Sequence, residues 1–216
     1  MKNTQSGFTL VEIAIVLVII GLLLGGVLKG QELINSAKVK NLANDFRNIP
    51  TMVFAYQDKF RAIPGDDRAA STHVAGVPLA TNGDGNGRID GAWDAQPAGG
   101  ACPAGSESCN FWQHVRLANL AAGPTDPGNA DYFPRNSEGG FIGVTGVTPV
   151  AGWAGNFYVC SSNVQGRFAR QLDITSDDGN TSTGSIRVIA AADGAAFPAN
   201  LTPTEDPRLF TVCSSN

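Results

Sequence analysis

A single acidic residue stands in the most apolar part of the chain. The 21 residues 8–28 contain one charged side chain, Glu12, in a run long enough to cross a bilayer as a helix. An ionised acid within lipid costs about 2.5–3.5 kcal/mol even on insertion scales, and it usually marks a partner or a function. The alternative is a plain membrane anchor in which Glu12 lies near the lipid interface.

A second set of oxygen-bearing side chains lies in the segment NGDGNGRIDGAWD. Its alternating Asn and Asp residues, with Gly87 at the sharp turn, resemble the first nine positions of an EF-hand-type calcium loop. The expected ligand positions are Asn82, Asp84, Asn86, Arg88, Asp90 and Asp94. The match is incomplete, because Trp93 occupies the twelfth position and Asp94 comes one residue late. An ordinary turn uses the same residue types, so a structural calcium ion and a plain turn both stay open. No cofactor is required by any other motif.

The four cysteines are expected to form disulfides. None has CxxC spacing and the chain has only two histidines, so a zinc site is not expected. An even count after a membrane-entering segment favours an oxidising compartment. Of three pairings, Cys102 with Cys109 and Cys160 with Cys213 is preferred. The pentapeptide VCSSN occurs at 159–163 and 212–216, which suggests two similar strand ends joined by the second bond.

Neither an enzyme nor a nucleic-acid-binding protein is indicated. The sequence has no nucleophile elbow, HExxH motif or phosphate loop, and His114 is expected to be structural. The acidic turn at Asp177 and Asp178 could be a loop or a cation ligand set, and the loop is favoured. A formal net charge of -4 with scattered Lys and Arg predicts no direct nucleic-acid contact.

The N-terminus resembles the type III signal of type IV prepilins and pseudopilins. A short polar leader, MKNTQSG, places Gly7 before the apolar run, and FTLVE follows; a secretory signal has its small residues after the run. The resemblance implies that prepilin peptidase cleaves after Gly7 and methylates Phe8. It also implies that Glu12, the fifth mature residue, neutralises the N-terminal amine of a neighbouring subunit, because a buried acid and amine are each costly when alone.

The resemblance implies a leader at 1–7, a hydrophobic transmembrane and filament-core helix at 8–30, and a globular head at 63–216. The segment 31–62 is predicted to be the amphipathic half of the helix. The amphipathic face is expected to comprise Leu33, Ile34, Ala37, Leu42, Phe46, Ile49, Val53, Phe54 and Phe60. Pro50 is expected to kink this helix. The glycines at 21, 25 and 26 predict either local melting in a filament or close helix approach.

Beyond the helix, a loop region is expected at 68–105, a short helix at 111–121 and one or two helical turns at 168–172. Strands are expected within 141–150, 153–160 and 185–191. This predicts an α+β fold. The resemblance implies the pilin fold: a long N-terminal helix, its hydrophobic half protruding, packed on a small antiparallel sheet with disulfide-tied loops.

The resemblance implies a structural subunit, a major or minor pilin of a type IV pilus. It would be a single-pass inner-membrane protein before assembly and part of a homo-oligomeric extracellular filament afterwards. Prepilin peptidase and the inner-membrane assembly machinery would be its partners. The alternatives are a pseudopilin of a type II secretion system and a subunit for adhesion or binding at a filament tip.

Overall fold

The computed structural model describes residues 9–76, 78–97, 99–190 and 200–216. The helices are α1 (Leu10–Phe60), α2 (Ala70–His73), α3 (Glu107–Leu117) and α4 (Gly166–Ser176), with a 3-10 turn at Pro203–Glu205. The strands are β1 (Ile142–Thr145), β2 (Tyr158–Gln165), β3 (Ile186–Ala190) and β4 (Leu209–Ser215). The chain forms two compact units, with the boundary between Ala37 and Lys38; the predicted segment boundaries stay a prediction.

Helix α1 is continuous over 51 residues and passes through Pro50. It ends at Phe60, two residues before the predicted boundary, because Arg61 takes a positive φ of 57°. Local melting at residues 21–26 concerns a filament and stays a prediction. By length and composition this helix could cross a membrane.

The predicted apolar face of α1 is only partly correct. Its buried residues include Leu42, Phe46, Ile49 and Val53, at the spacing of one helix face. Four predicted members are instead exposed: Leu33 by 62%, Ile34 by 58%, Phe54 by 59%, and Ala37. Leu33, Ile34 and Ala37 precede Lys38 and so lie outside the compact unit that contains the sheet. Phe54 directly follows Val53 and lies off the i+3/i+4 series.

The four strands form one antiparallel sheet in the order β1-β2-β4-β3. Its two central strands contain the two VCSSN copies, which run in opposite directions. Cys160 is paired with Cys213, and the flanking residues pair reciprocally, Val159 with Ser214 and Ser161 with Val212. The repeated pentapeptide therefore forms two matching strand segments joined at their cysteines, as predicted.

Both faces of the sheet are covered. Alternate strand residues, including Val144, Val159 and Val212, share one core with the buried residues of α1, α3 and α4. On the other face, Tyr158, Cys160 and Cys213 pack with Trp153 and Val150. The disulfide Cys160–Cys213 therefore lies on the face opposite α1.

Several elements differ from prediction. The helix expected at 111–121 begins and ends four residues earlier, at Glu107–Leu117. An acidic residue in the first turn favours that start, and Asn119 ends the helix with a φ of 61°. The turns expected at 168–172 belong to the 11-residue α4, and α2 was not predicted.

The predicted α+β class is confirmed. A long N-terminal helix packs on a small antiparallel sheet in a chain with two disulfides, Cys102–Cys109 and Cys160–Cys213, which is the preferred pairing. This architecture fits the pilin fold.

Candidate functional site

The start of α1 is closed by reciprocal hydrogen bonds between Thr9 and Glu12. The Thr9 backbone N–H and Oγ1 each donate to Glu12 Oε2 at 2.8 Å, and the Glu12 N–H donates to Thr9 Oγ1 at 3.3 Å. This is a capping box, which satisfies N–H groups that a helix start otherwise leaves unpaired. The sequence Thr-Leu-Val-Glu could have indicated it, although only the pairing role of Glu12 was predicted.

The capping box uses only one carboxylate oxygen of Glu12. Both bonds that Glu12 accepts end on Oε2, so among the described residues Oε1 has no donor. Gly7 and Phe8, the predicted cleavage and methylation positions, lie outside the described residues. Glu12 can thus cap its own helix and still accept a proton or pair with an amine through Oε1.

The helix that follows Glu12 exposes its apolar side chains. The large apolar residues from Leu10 to Leu28 are between 46% and 90% exposed. Such a surface costs free energy in water, about 25 cal/mol per Å² of apolar area, and a contiguous patch of this size marks a membrane or protein contact. The stretch therefore requires lipid or other helices around it.

The second candidate site, the loop at residues 82–90, is held by two buried acids from elsewhere in the chain. Asp66, which is 4% exposed, accepts the N–H of Asn86 on Oδ1 at 2.9 Å and that of Gly87 on Oδ2 at 2.8 Å. Glu107, which is 3% exposed, accepts the N–H groups of Asp84 at 2.8 Å and Asp90 at 2.9 Å. Both acids thus hold the loop through its backbone.

The predicted calcium ligands are only partly brought together. The Asn86 amide donates to Asp84 Oδ2 at 3.0 Å and Asp90 Oδ2 at 2.8 Å, so it bridges the two acids. Asn82 instead accepts the backbone N–H of Ser71. The side chain of Arg88, another predicted ligand position, forms an ion pair with Asp90 at 3.0 Å, and Asp94 is exposed.

A different trio of acids forms the closest carboxylate group here. Asp66, Asp84 and Glu107 each place one oxygen within 4.8 Å of the others, and burial raises the pKa of Asp66 and of Glu107. The loop sequence could not reveal Asp66 and Glu107, which lie 20 and 23 residues from the loop positions they bind. The oxygens would suit calcium, but those of Asp66 and Glu107 already accept backbone N–H groups. Calcium binding by this loop stays a prediction.

The two histidines hold loops in place. Both ring nitrogens of buried His114 are used, since Gly65 N–H donates to Nδ1 at 2.9 Å and Nε2 donates to the Thr81 carbonyl at 2.7 Å. Burial lowers the pKa of His114, so the ring is neutral. His73 lies 2.7 Å from Asp67, which also accepts the Tyr56 hydroxyl. These contacts fix the segment that follows α1, and His114 is structural.

The N-terminal segment of the chain matches a known sequence family. Residues 2–28 match the family described as the prokaryotic N-terminal methylation motif. The chain carries a prepilin-type signal. This is the cleavage and methylation signal of type IV pilins and pseudopilins. No curated protein and no solved structure matches the chain.

The signal has general consequences for this prepilin-type chain. It implies processing by prepilin peptidase and contact with pilus assembly machinery. Together with the apolar N-terminal helix, it fits anchoring in the inner membrane before assembly. The motif points to a structural subunit rather than an enzyme.

Proposed function

We propose that this chain is a structural subunit of a type IV pilus. Prepilin peptidase would cleave it between Gly7 and Phe8, and α1 would then leave the inner membrane to pack against the same helix of other copies in a surface filament. The observation that carries this proposal is the exposed apolar helix from Leu10 to Leu28, which lies within the prepilin-type signal matched at residues 2–28. A filament of such helices would bury the surface that a single chain exposes.

Glu12 has a defined role in this proposal. Cleavage creates an α-amino group at Phe8, and an amine buried among apolar helices is costly unless an acid neutralises it. The capping box holds the Glu12 carboxylate by Oε2, which leaves Oε1 for the amine of a neighbouring subunit. Helix capping and subunit pairing thus use different oxygens of the same side chain.

Three substitutions separate these two uses of Glu12. Glu12→Gln removes the charge, Thr9→Val removes the hydroxyl of the capping box, and Glu32→Gln changes an exposed acid of the same helix that pairs with Lys29. Filaments sheared from cells and the membrane fraction would be quantified for each variant. We expect Glu12→Gln to be cleaved but reduce filaments at least tenfold, while the other two assemble normally.

Other outcomes would contradict the pairing role. If Thr9→Val loses filaments as completely as Glu12→Gln, capping alone explains the effect. If Glu12→Gln assembles normally, no amine pairing is needed. If all three variants are cleaved and none of them, nor the wild type, is found in sheared filaments, the pilus assignment fails.

A pseudopilin of a type II secretion system is the second candidate. It would share the signal and the assembly helix, but its filament would stay short and periplasmic. The carboxylate group at Asp66, Asp84 and Glu107 favours it, since calcium-tied loops recur in pseudopilins, which the resemblance implies. Recovery of the processed chain in membranes and periplasm, and not in sheared filaments, would support this second assignment.

A further inference from the structure

Three acids converge at the C-terminal end of α4. Asp173 lies in the last turns of the helix, and Asp177 and Asp178 directly follow it. Each places one carboxylate oxygen within 4.8 Å of the other two. Three like charges at this distance repel one another, and the negative end of the α4 dipole adds to the cost. The last turn of α4 contains no basic residue.

Asp173 is the member of the group that most requires a ligand. It is 0% exposed, and neither carboxylate oxygen accepts a hydrogen bond of normal geometry. The backbone N–H groups of Gly179 and Asn180 attract the carboxylate, but that of Asn180 donates to Asp178. An ionised carboxylate that is removed from water without a donor is strongly unfavourable. By contrast, the buried acids Asp66 and Glu107 each accept two backbone N–H groups.

The two other acids are held facing this position by the turn before β3. Asp177 accepts the Ser185 hydroxyl at 3.0 Å and the Ile186 N–H at 2.7 Å. Asp178 accepts the Asn180 N–H at 2.8 Å and the Thr183 hydroxyl at 2.7 Å. The nearby Arg187 acts on Asp178 electrostatically, but its Nε donates to the Gly184 carbonyl. Among the described residues, no Lys or Arg forms an ion pair with any of the three acids.

We propose that Asp173, Asp177 and Asp178 bind a divalent cation, calcium. Carboxylate oxygens are the ligands that calcium prefers, and water can complete its six to eight positions. The cation would neutralise the repelling charges and give the buried Asp173 carboxylate a partner. It would also join the end of α4 to the start of β3, an edge strand of the sheet. This proposal takes the second of the two alternatives that the sequence left open at Asp177 and Asp178, a cation ligand set.

The test is calcium titration of the full chain in detergent micelles after treatment with a chelator. Isothermal titration calorimetry should detect a site with a Kd of about 10⁻⁴–10⁻³ M, the range of extracellular calcium modules. Calcium should raise the melting temperature by several degrees, since it binds the folded state. Asp173→Asn should weaken binding at least tenfold.

Asp178→Asn and Asp126→Asn form a matched pair for the same titration. Both residues are exposed, and each accepts the backbone N–H two positions later. Asp178→Asn should weaken calcium binding at least tenfold and Asp126→Asn should leave it unchanged. Since Asp178 is exposed, its variant decides the question even if Asp173→Asn does not fold. Absence of calcium binding by the wild type would overturn the proposal. So would binding that survives Asp178→Asn or that is lost with Asp126→Asn.

Discussion

The two parts of helix α1 differ in how their apolar side chains are covered. From Leu10 to Leu28 the helix exposes its large apolar side chains, and its only charge is Glu12. From Val39 to Tyr56 it buries one apolar face in the same core as the sheet. The first stretch requires lipid or other helices around it, whereas the second is stabilised by contacts within the chain. We therefore expect substitutions in the compact unit Lys38–Asn216 to alter folding, and substitutions near Glu12 to alter assembly.

The largest effect on folding is expected from the disulfide between the central strands. Cys160–Cys213 closes a separation of 53 residues and Cys102–Cys109 one of only 7. The chain-entropy relation gives about 4 kcal/mol for the longer loop and about 2.5 kcal/mol for the shorter. Denaturant unfolding should show Cys160→Ala/Cys213→Ala to be less stable than Cys102→Ala/Cys109→Ala. The reverse order would show that strand pairing makes the longer bond dispensable. Cleavage after Gly7 should not change in either variant.

The second-largest effect on stability is expected from the ion pair of Lys38, the first residue of the compact unit Lys38–Asn216. Lys38 Nζ lies 2.7 Å from Glu138 Oε1, and the Glu138 side chain is only 6% exposed. Lys38→Met should destabilise this compact unit by about 2–3 kcal/mol, because it leaves the buried Glu138 carboxylate without its partner. The double variant Lys38→Met/Glu138→Gln should recover most of this loss. Lys29→Met, in an exposed pair with Glu32, should cost at most about 0.5 kcal/mol. Equal losses for Lys38→Met and Lys29→Met in urea unfolding would contradict this account.

A smaller, pH-dependent effect is expected at Asp45. Desolvation raises its pKa to about 6, above the value of about 3.9 in an unfolded chain. The folded state therefore binds the proton more tightly, and stability falls as the pH rises from about 4 through about 6. Asp45→Asn should raise the free energy of unfolding by about 1 kcal/mol at pH 7.5, a value that is reduced because Asp45 is partly exposed. At pH 4 the same substitution should have almost no effect on stability. The exposed Asp58→Asn on the same helix is the control. A gain from Asp45→Asn that is equal at both pH values would contradict desolvation as the cause.

The sequence predicted features that depend on local pattern or on one strong constraint. The buried face of α1 at Leu42, Phe46 and Ile49 followed from apolar residues at helical spacing. The pairing of Cys160 with Cys213 agreed with the repeated pentapeptide. The exposure of Phe54 was missed because one helical position decides between core and solvent. Asp66 and Glu107 were missed as site residues because the backbone groups that they bind are distant in sequence. Asp173 was missed because its importance arises from its burial. No local spacing encodes those contacts.

The most direct test of the central claim is mass spectrometry of the N-terminus in two fractions, sheared filaments and membranes. We predict that the filament fraction contains this chain beginning at N-methylated Phe8, without residues 1–7. Its abundance there would separate a major from a minor subunit. A chain in which Gly7 is still joined to Phe8 in both fractions would contradict the proposed function and leave a plain membrane anchor.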